Sequence, residues 1–190
     1  LYARWGTTSP NFCFAGHVDV VPVGDLESWN YEPFAGTIHN GYLYGRGASD
    51  MKSAIASFVT AASQYIETNR SNHSGSISLL ITSDEEGPAI NGTRKMVEWL
   101  KERNETIDVC LVGEPTNPNL LGEMIKIGRR GSLTGCIKIS GQQGHVAYPD
   151  LARNPIPQLM DILKKFNDKE FDKGNKYFQP SNLEITTVDV

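Results

Sequence analysis

The chain has 190 residues, of which 39% are hydrophobic and 21% charged, and its formal net charge is −4 at pH 7. This composition is typical of a globular protein with a sizeable core, and the mild acidity without any Lys/Arg cluster argues against a nucleic-acid partner. No apolar run approaches the roughly 20 residues of a membrane-spanning helix, and the first residues lack a signal-peptide layout. We therefore expect a cytoplasmic protein with no membrane partner.

The sequence begins and ends within strand-like patterns of residues. Leu1 opens within a strand-like pattern without a starter methionine, and Val190 closes an alternating run. We therefore expect a fragment of a longer chain. The three cysteines form no Cys-x-x-Cys pair and lie in apolar, strand-like runs, which predicts buried thiols in a reducing compartment.

The first predicted element is a buried strand over residues 11–21, which carries a histidine and an aspartate two positions apart. Side chains at i and i+2 of an extended chain point to the same side, so His17 and Asp19 can act together. The imidazole would be a metal ligand and the carboxylate its support. Taken alone, this pair is more typical of ordinary polar residues at a strand end.

A loop over residues 24–41 and a short strand over residues 42–44 follow. Asp50 then stands at the start of a predicted helix, because apolar residues recur at helical spacing from Met51 to Ile66. An aspartate in this position is equally typical of a helix N-cap.

An apolar, β-rich run over residues 77–81 has the composition of a central parallel strand. It ends in three consecutive acids, Asp84, Glu85 and Glu86. Adjacent carboxylates repel one another unless a cation or solvent intervenes, so a solvated acidic loop is the alternative to metal binding here.

A second amphipathic helix is predicted over residues 93–103, and a third buried strand over residues 109–112 is followed by an acid. The alternation of strands and helices predicts an α/β fold, in which functional groups gather at the carboxyl ends of the strands. Acids crowded there cannot stay ionised without bound metal, and two divalent ions bridged by a carboxylate would solve this problem. The residues expected to converge are His17, Asp19, Asp50, Glu85, Glu86 and Glu114.

The pattern changes near residue 130, which predicts a catalytic metal-binding domain at 1–129 and a small α+β domain at 130–190. Alternation over residues 133–140 predicts a half-buried strand, a helix is predicted over residues 155–166, and a terminal strand over residues 183–188. The loop before the helix carries a histidine and a tyrosine that are expected to be exposed.

Longer motifs occur in a fixed order along the chain, and two further segments follow them. The four motifs are Gly16-His17-Val18-Asp19-Val20-Val21-Pro22, Gly45-Arg46-Gly47 with Asp50-Met51-Lys52, Ser83-Asp84-Glu85-Glu86-Gly87 and Val112-Gly113-Glu114-Pro115-Thr116. The two segments are Gly128-Arg129-Arg130-Gly131-Ser132-Leu133 and Gln143-Gly144-His145-Val146-Ala147-Tyr148-Pro149.

The ordered set of four motifs resembles the M20 family of metallopeptidases and aminoacylases, which includes carboxypeptidase G and acetylornithine deacetylase. The resemblance covers essentially the whole chain, and the two further segments favour the desuccinylase branch of the family. It implies a zinc-peptidase-like mixed sheet with helices on both faces, followed by the start of an inserted ferredoxin-like domain for dimerisation or for a lid.

The resemblance also implies two zinc ions per subunit, for which cobalt is expected to substitute. In the family pattern His17 and Glu114 bind one ion, Glu86 helps to bind the second, and Asp50 bridges them. A further histidine ligand of the second ion would lie beyond Val190, so we expect these 190 residues alone to be inactive.

The remaining roles follow from the same resemblance. Asp19 would orient the metal-binding histidine, and Glu85 would be the general base and acid. The lid domain would form a homodimer and lend His145 to the active site of the partner. Weaker candidates for binding substrate carboxylates are Arg129, Ser132 and Tyr148.

The reaction implied by the resemblance is metal-dependent hydrolysis of N-succinyl-L,L-2,6-diaminopimelate to succinate and L,L-2,6-diaminopimelate, in bacterial synthesis of lysine and peptidoglycan precursors. The substrate would thus be a small acylated amino acid. Within the enzyme class the alternative is another deacylase of the family, such as acetylornithine deacetylase. Outside it, the alternative is a non-catalytic relative that binds or dimerises.

Overall fold

The computed structural model describes residues 1–70 and 72–189. The chain divides into two compact units, Leu1–Ile125 and Lys126–Val190, close to the boundary expected at residues 129 and 130. The assignment of these units to a catalytic and a lid domain stays a prediction. No helix in the described ranges is long and apolar enough to cross a membrane.

The first unit contains a four-stranded mixed sheet of β1 (Tyr2–Trp5), β2 (Asn11–His17), β5 (Ser76–Thr82) and β6 (Val109–Val112). The strand order in this sheet is β1-β5-β2-β6. The first strand is antiparallel to its neighbour β5, whereas β5, β2 and β6 are parallel to one another. The carboxyl ends of these three strands therefore lie at one edge. In chain order the elements are β1 (Tyr2–Trp5), β2 (Asn11–His17), β3 (Thr37–His39), β4 (Tyr42–Tyr44), α1 (Ser53–Asn69), β5 (Ser76–Thr82), α2 (Thr93–Glu102), β6 (Val109–Val112) and α3 (Ile156–Asn167).

Each face of the central strand β2 packs against a helix, because alternate side chains of a strand point to opposite faces. On one face Phe14 stacks on Phe58 of α1, with 4.6 Å between the ring centroids. On the other face the buried Cys13 forms a small core with Leu80 of β5 and Leu100 of α2. The predicted α/β fold, a mixed sheet with helices on both faces, is confirmed.

Some predicted boundaries differ from the structure. The strand predicted over residues 11–21 ends at His17, because the chain turns there toward the loop. The loop predicted over residues 24–41 contains β3, which pairs with β4 as a short hairpin. The turn residues Asn40 and Gly41 both have positive φ, at 49° and 80°, which suits a tight hairpin turn. This Asn-Gly pair was the sequence signal for the hairpin.

The predicted burial of β6 is wrong. Val109, Leu111 and Val112 are each about half exposed, because β6 lies at the edge of the sheet and, among the described residues, pairs with β2 alone. For the thiols, Cys13 is buried as expected, but Cys110 and Cys136 are exposed.

The second unit contains α3, which confirms the helix predicted over residues 155–166. The strands predicted over residues 133–140 and 183–188 are wrong, since the only β pairing in the described part of this unit is an isolated bridge between Gln142 and Arg153. A strand needs a hydrogen-bonded neighbour, and neither segment has one among the described residues. The expected start of a ferredoxin-like domain is therefore not confirmed.

Candidate metal centre

The last residue of β2, His17, is the centre of the site. Its side chain is only 2% exposed. Nδ1 lies 2.9 Å from the backbone oxygen of Asp19, and Nε2 lies 3.1 Å from Oδ1 of Asp50 and 3.4 Å from Oε1 of Glu114. When Nδ1 donates to the carbonyl, Nε2 is left facing the carboxylates as the atom through which an imidazole binds a metal.

Asp50 reaches His17 from a turn and not from a helix cap. It lies in the π-helical turn Ala48–Lys52, where its φ of −120° and ψ of 97° are not helical. The helix α1 begins at Ser53, and no side-chain hydrogen bond caps its start. The N-cap interpretation of Asp50 is therefore wrong, and its carboxylate is directed to the site.

Met51 holds this turn against the central strand. It is completely buried, and its sulfur accepts a hydrogen bond from the backbone N–H of His17 at 3.3 Å. A Cβ at Gly16 would lie 2.7 Å from the Met51 methyl group, so glycine at this place permits the approach. The sequence placed Met51 on an apolar helix face and in the Asp50-Met51-Lys52 motif but gave it no role in the site, and the glycine before His17 was the available signal for its contact with β2.

Glu85 and Glu86 follow β5, and their backbone N–H groups donate to the same oxygen, Oδ2 of Asp19, at 2.8 and 2.9 Å. Burial favours the protonated form of Asp19, but these two hydrogen bonds outweigh it and hold its pKa below the usual value. The other carboxylate oxygen of Asp19 lies 3.5 Å from Nδ1 of His17. The hydrogen-bond acceptor for His17 is thus the Asp19 carbonyl, while the Asp19 carboxylate holds the backbone of Glu85 and Glu86.

The electrostatics of the site are dominated by the carboxylates gathered around His17. Burial raises the pKa of Glu114, and the charge of Asp50 raises it further. Burial acts to lower the pKa of His17, but the hydrogen bond to the Asp19 carbonyl and the charge of Glu114 raise it above its usual value. A bound cation would compensate this excess of negative charge.

Two sets of side chains bring their ligand atoms within 4.8 Å of one another: His17 with Asp50 and Glu114, and His17 with Glu85 and Glu86. Across residues 1–70 and 72–189, neither Lys nor Arg forms an ion pair with any of these carboxylates. One imidazole nitrogen and several carboxylate oxygens form a donor set that suits zinc. The residues present therefore fit the implied metal.

The other four predicted site residues lie in the second unit and are exposed: Arg129, Ser132, His145 and Tyr148. The rings of His145 and Tyr148 are neighbours, with 5.8 Å between centroids, and Nδ1 of His145 accepts from the backbone N–H of Ala147 at 3.1 Å. In the described part of the unit, no hydrogen bond joins Arg129 or Ser132 to this pair. Their roles stay predictions.

The family model for peptidase family M20/M25/M40 matches residues 13–188. The chain belongs to this family. Over all 190 residues, this M20 chain is 60% identical to the succinyl-diaminopimelate desuccinylase of Parvibaculum lavamentivorans and covers 47% of it. It is equally identical, at 60%, to the enzyme of that name from Pelagibacter ubique, of which it covers 49%. The chain thus spans about half the length of the curated relatives it matches.

Two solved structures agree with the fold. Human carnosine dipeptidase 1 matches with a TM-score of 0.52 and 28% identity, over 60% of this chain and 25% of that one. An M20 family metallo-carboxypeptidase from Sulfolobus solfataricus matches with a TM-score of 0.63 over 88% of this chain and 38% of that one. The latter is only 22% identical and supports the fold alone.

Proposed function

We propose that the full-length protein is a metal-dependent amide hydrolase that cleaves N-succinyl-L,L-2,6-diaminopimelate to succinate and L,L-2,6-diaminopimelate. The observation that carries this proposal is the convergence, in an M20 chain, of one buried histidine with several carboxylates that no described Lys or Arg side chain pairs with. The choice of substrate is supported by the name shared by relatives at 55–60% identity. The proposed reaction belongs to synthesis of lysine and peptidoglycan precursors, which would place the protein in the bacterial cytoplasm.

Two zinc ions, replaceable by cobalt, would be held by the residues of the two ligand sets. His17 and Glu114 would bind the first ion, Glu86 would help to bind the second, and Asp50 would lie between them as the bridge. When bound, such a pair of ions polarises the scissile carbonyl and lowers the pKa of a water molecule.

Glu85 is the proposed general base and acid. Its side chain is exposed and receives no hydrogen bond from the described residues, so it is free to exchange protons with substrate and water. As the water oxygen bonds to the amide carbon, Glu85 takes a proton from it. As the carbon–nitrogen bond breaks, Glu85 gives that proton to the leaving amine, so protons and charges balance.

The second unit would contribute to substrate binding. A homodimer formed through this unit would bring His145 to the partner's active site. Guanidinium and hydroxyl groups suit the carboxylates of the substrate, which is the proposed role of Arg129, Ser132 and Tyr148.

The deciding experiment compares two substrates on the full-length zinc-loaded protein. N-succinyl-L,L-diaminopimelate and N-acetylornithine are incubated separately, and the released amine is measured by mass spectrometry. We expect a higher kcat/KM for the succinyl substrate. A preference for N-acetylornithine would overturn the substrate assignment, and zinc binding without hydrolysis of any acyl amino acid would favour a non-catalytic relative.

A further inference from the structure

The positions of Glu85 and Glu86 depend on the backbone that carries them. Neither side chain receives a hydrogen bond from a described residue, whereas both backbone N–H groups are bound by Asp19. What places the two carboxylates beside His17 is therefore the conformation of the segment from Ser83 to Gly92, which we call the acidic loop.

Asp84 organises the inside of the acidic loop. Its Oδ1 accepts from the backbone N–H of Ala89 at 3.1 Å, and its Oδ2 accepts from the backbone N–H of Asn91 at 2.7 Å. One carboxylate thus joins the beginning of the loop to its end. Such a carboxylate is a charge-assisted acceptor, which makes these hydrogen bonds stronger than neutral ones.

Two further features show that the loop closes tightly around Asp84. A Cβ at Gly92 would collide with the backbone carbonyl of Asp84, so only glycine allows the last residue of the loop to approach. Ala89 has a φ of 55°, a conformation that side chains disfavour. The hydrogen bond that the backbone N–H of Ala89 donates to Asp84 helps to hold the backbone in this unfavourable conformation.

We propose that Asp84 is a positioning residue that fixes the acidic loop so that Glu86 can bind a metal and Glu85 can exchange protons beside it. Asp19 holds the loop from the side of β2, and Asp84 holds it from within. Asp84 itself does not touch the metal or the substrate. The inference rests on the proposed function for the roles of the two glutamates, but its test does not require turnover.

The test measures zinc binding to the metal-free full-length protein by titration calorimetry, for the wild type and for Asp84→Asn. The asparagine side chain has the same size but only one acceptor oxygen. One of the two hydrogen bonds that Asp84 accepts should therefore be lost, and the acidic loop should become less fixed. We expect binding at the ion site that includes Glu86 to weaken by about 10- to 100-fold, as for other residues that orient a ligand. Binding at the other ion site, which includes Glu114, should be unchanged.

Reference variants identify which ion site is affected. Glu86→Gln and Glu114→Gln each remove one proposed ligand, and the Asp84→Asn isotherm should resemble that of Glu86→Gln. Gly92→Ala disturbs the same loop from its other end and should give the same selective loss, which keeps the proposal testable if Asp84→Asn fails to fold.

Asp172→Asn is the matched control. Asp172 also holds a loop, since its carboxylate accepts from the backbone N–H groups of Gly174 and Ser181, but it lies in the second unit. It should leave both zinc affinities unchanged.

An equal loss of zinc at both ion sites, or no loss at either, would show that Asp84 has only a general structural role and would overturn the inference. A wild type without zinc binding at Glu86 would overturn it as well. If the wild type binds two ions but hydrolyses no acyl amino acid, the proposed function fails, while a selective loss in Asp84→Asn still supports the inference.

Discussion

The acidic side chains near the two ends of the central strand β2 differ in their partners. Near its amino end they are paired with hydrogen-bond donors or with an arginine, whereas near its carboxyl end they are gathered around a single histidine. At the amino end, Arg4 donates to Glu105 at 2.7 Å. Asp108 accepts from the backbone N–H of Asn11 at 2.6 Å and from the hydroxyl of Ser9 at 2.9 Å. The charges there are compensated within the protein.

The carboxyl end has the opposite arrangement. His17 is the only basic side chain within ion-pair distance of Asp50 and Glu114 in residues 1–70 and 72–189. Several carboxylates gathered around one imidazole repel one another and lower stability, so a fold retains them where another demand outweighs that cost. The difference between the two ends indicates that the amino end stabilises the sheet and the carboxyl end is prepared for cations.

The largest effect on turnover is expected for Glu85→Gln, which removes one carboxylate charge from the carboxyl end of the site. We expect turnover to fall by about 100- to 10,000-fold, the contribution of a general base, while the bound zinc stays constant. Steady-state kinetics and elemental analysis of the full-length protein measure both quantities. Glu98→Gln on the exposed face of α2 is the control and should change neither. Loss of zinc from Glu85→Gln would make Glu85 a ligand instead.

The pH dependence of zinc affinity tests whether protons and zinc compete for the side chains at the carboxyl end. The pKa values of His17 and Glu114 are raised in the metal-free protein, so each tends to hold a proton that zinc must displace. Affinity should therefore fall as the pH drops through these raised values, by up to about tenfold per pH unit for each displaced proton. Chelator competition at several pH values measures the slope.

In Glu114→Gln that slope should become shallower, because one of the displaced protons is gone. An equally steep slope in this variant would mean that Glu114 does not exchange its proton for the metal.

His145→Ala tests whether the second unit contributes to the same chemistry. We expect kcat of the full-length protein to fall by about tenfold or more without loss of folding, because a contact with the substrate in the partner's active site would be removed. Circular dichroism and steady-state kinetics separate the two effects. His39→Ala, in the β3–β4 hairpin, is the matched control. Unchanged kinetics in the His145 variant would remove this residue from the site.

The sequence predicted most of the carboxyl-end site because its residues follow parallel strands, and parallel strands bring their ends together. It did not predict how Asp19 binds two backbone N–H groups, or how Asp84 closes its loop. Those contacts depend on how loops distant in sequence approach one another. The exposure of β6 was missed for a similar reason, since periodicity within a segment does not give the order of strands in a sheet.

The predicted strands of the second unit show the same limit. The alternation of polar and apolar residues is a property of one segment, whereas a strand also needs a neighbouring segment to which its backbone can hydrogen-bond. The Asn40-Gly41 hairpin shows the opposite case, because its signal is entirely local and was present in the sequence.

The smallest expected effect tests the amino end. Glu105→Gln removes the partner of Arg4, and because both side chains are partly exposed, we expect the free energy of unfolding to fall by only about 1 kcal/mol at pH 7. The hydrogen bond from Arg4 lowers the pKa of Glu105 below its usual value of 4.5. The carboxylate therefore stabilises the fold above that value, and its contribution is lost as the pH falls through the lowered pKa.

Urea unfolding of the metal-free protein between neutral and acidic pH measures this contribution. The wild type should lose stability below about pH 4.5, the usual value for glutamate, and Glu105→Gln should lose less over the same range. Glu102→Gln is the control, because Glu102 lies 3.6 Å from Arg103 in an exposed pair and should change nothing. A contradictory result would be a Glu105→Gln variant with unchanged stability, unchanged pH dependence of stability and a lower zinc affinity. The amino end of β2 would then contribute to zinc binding and not to the stability of the sheet.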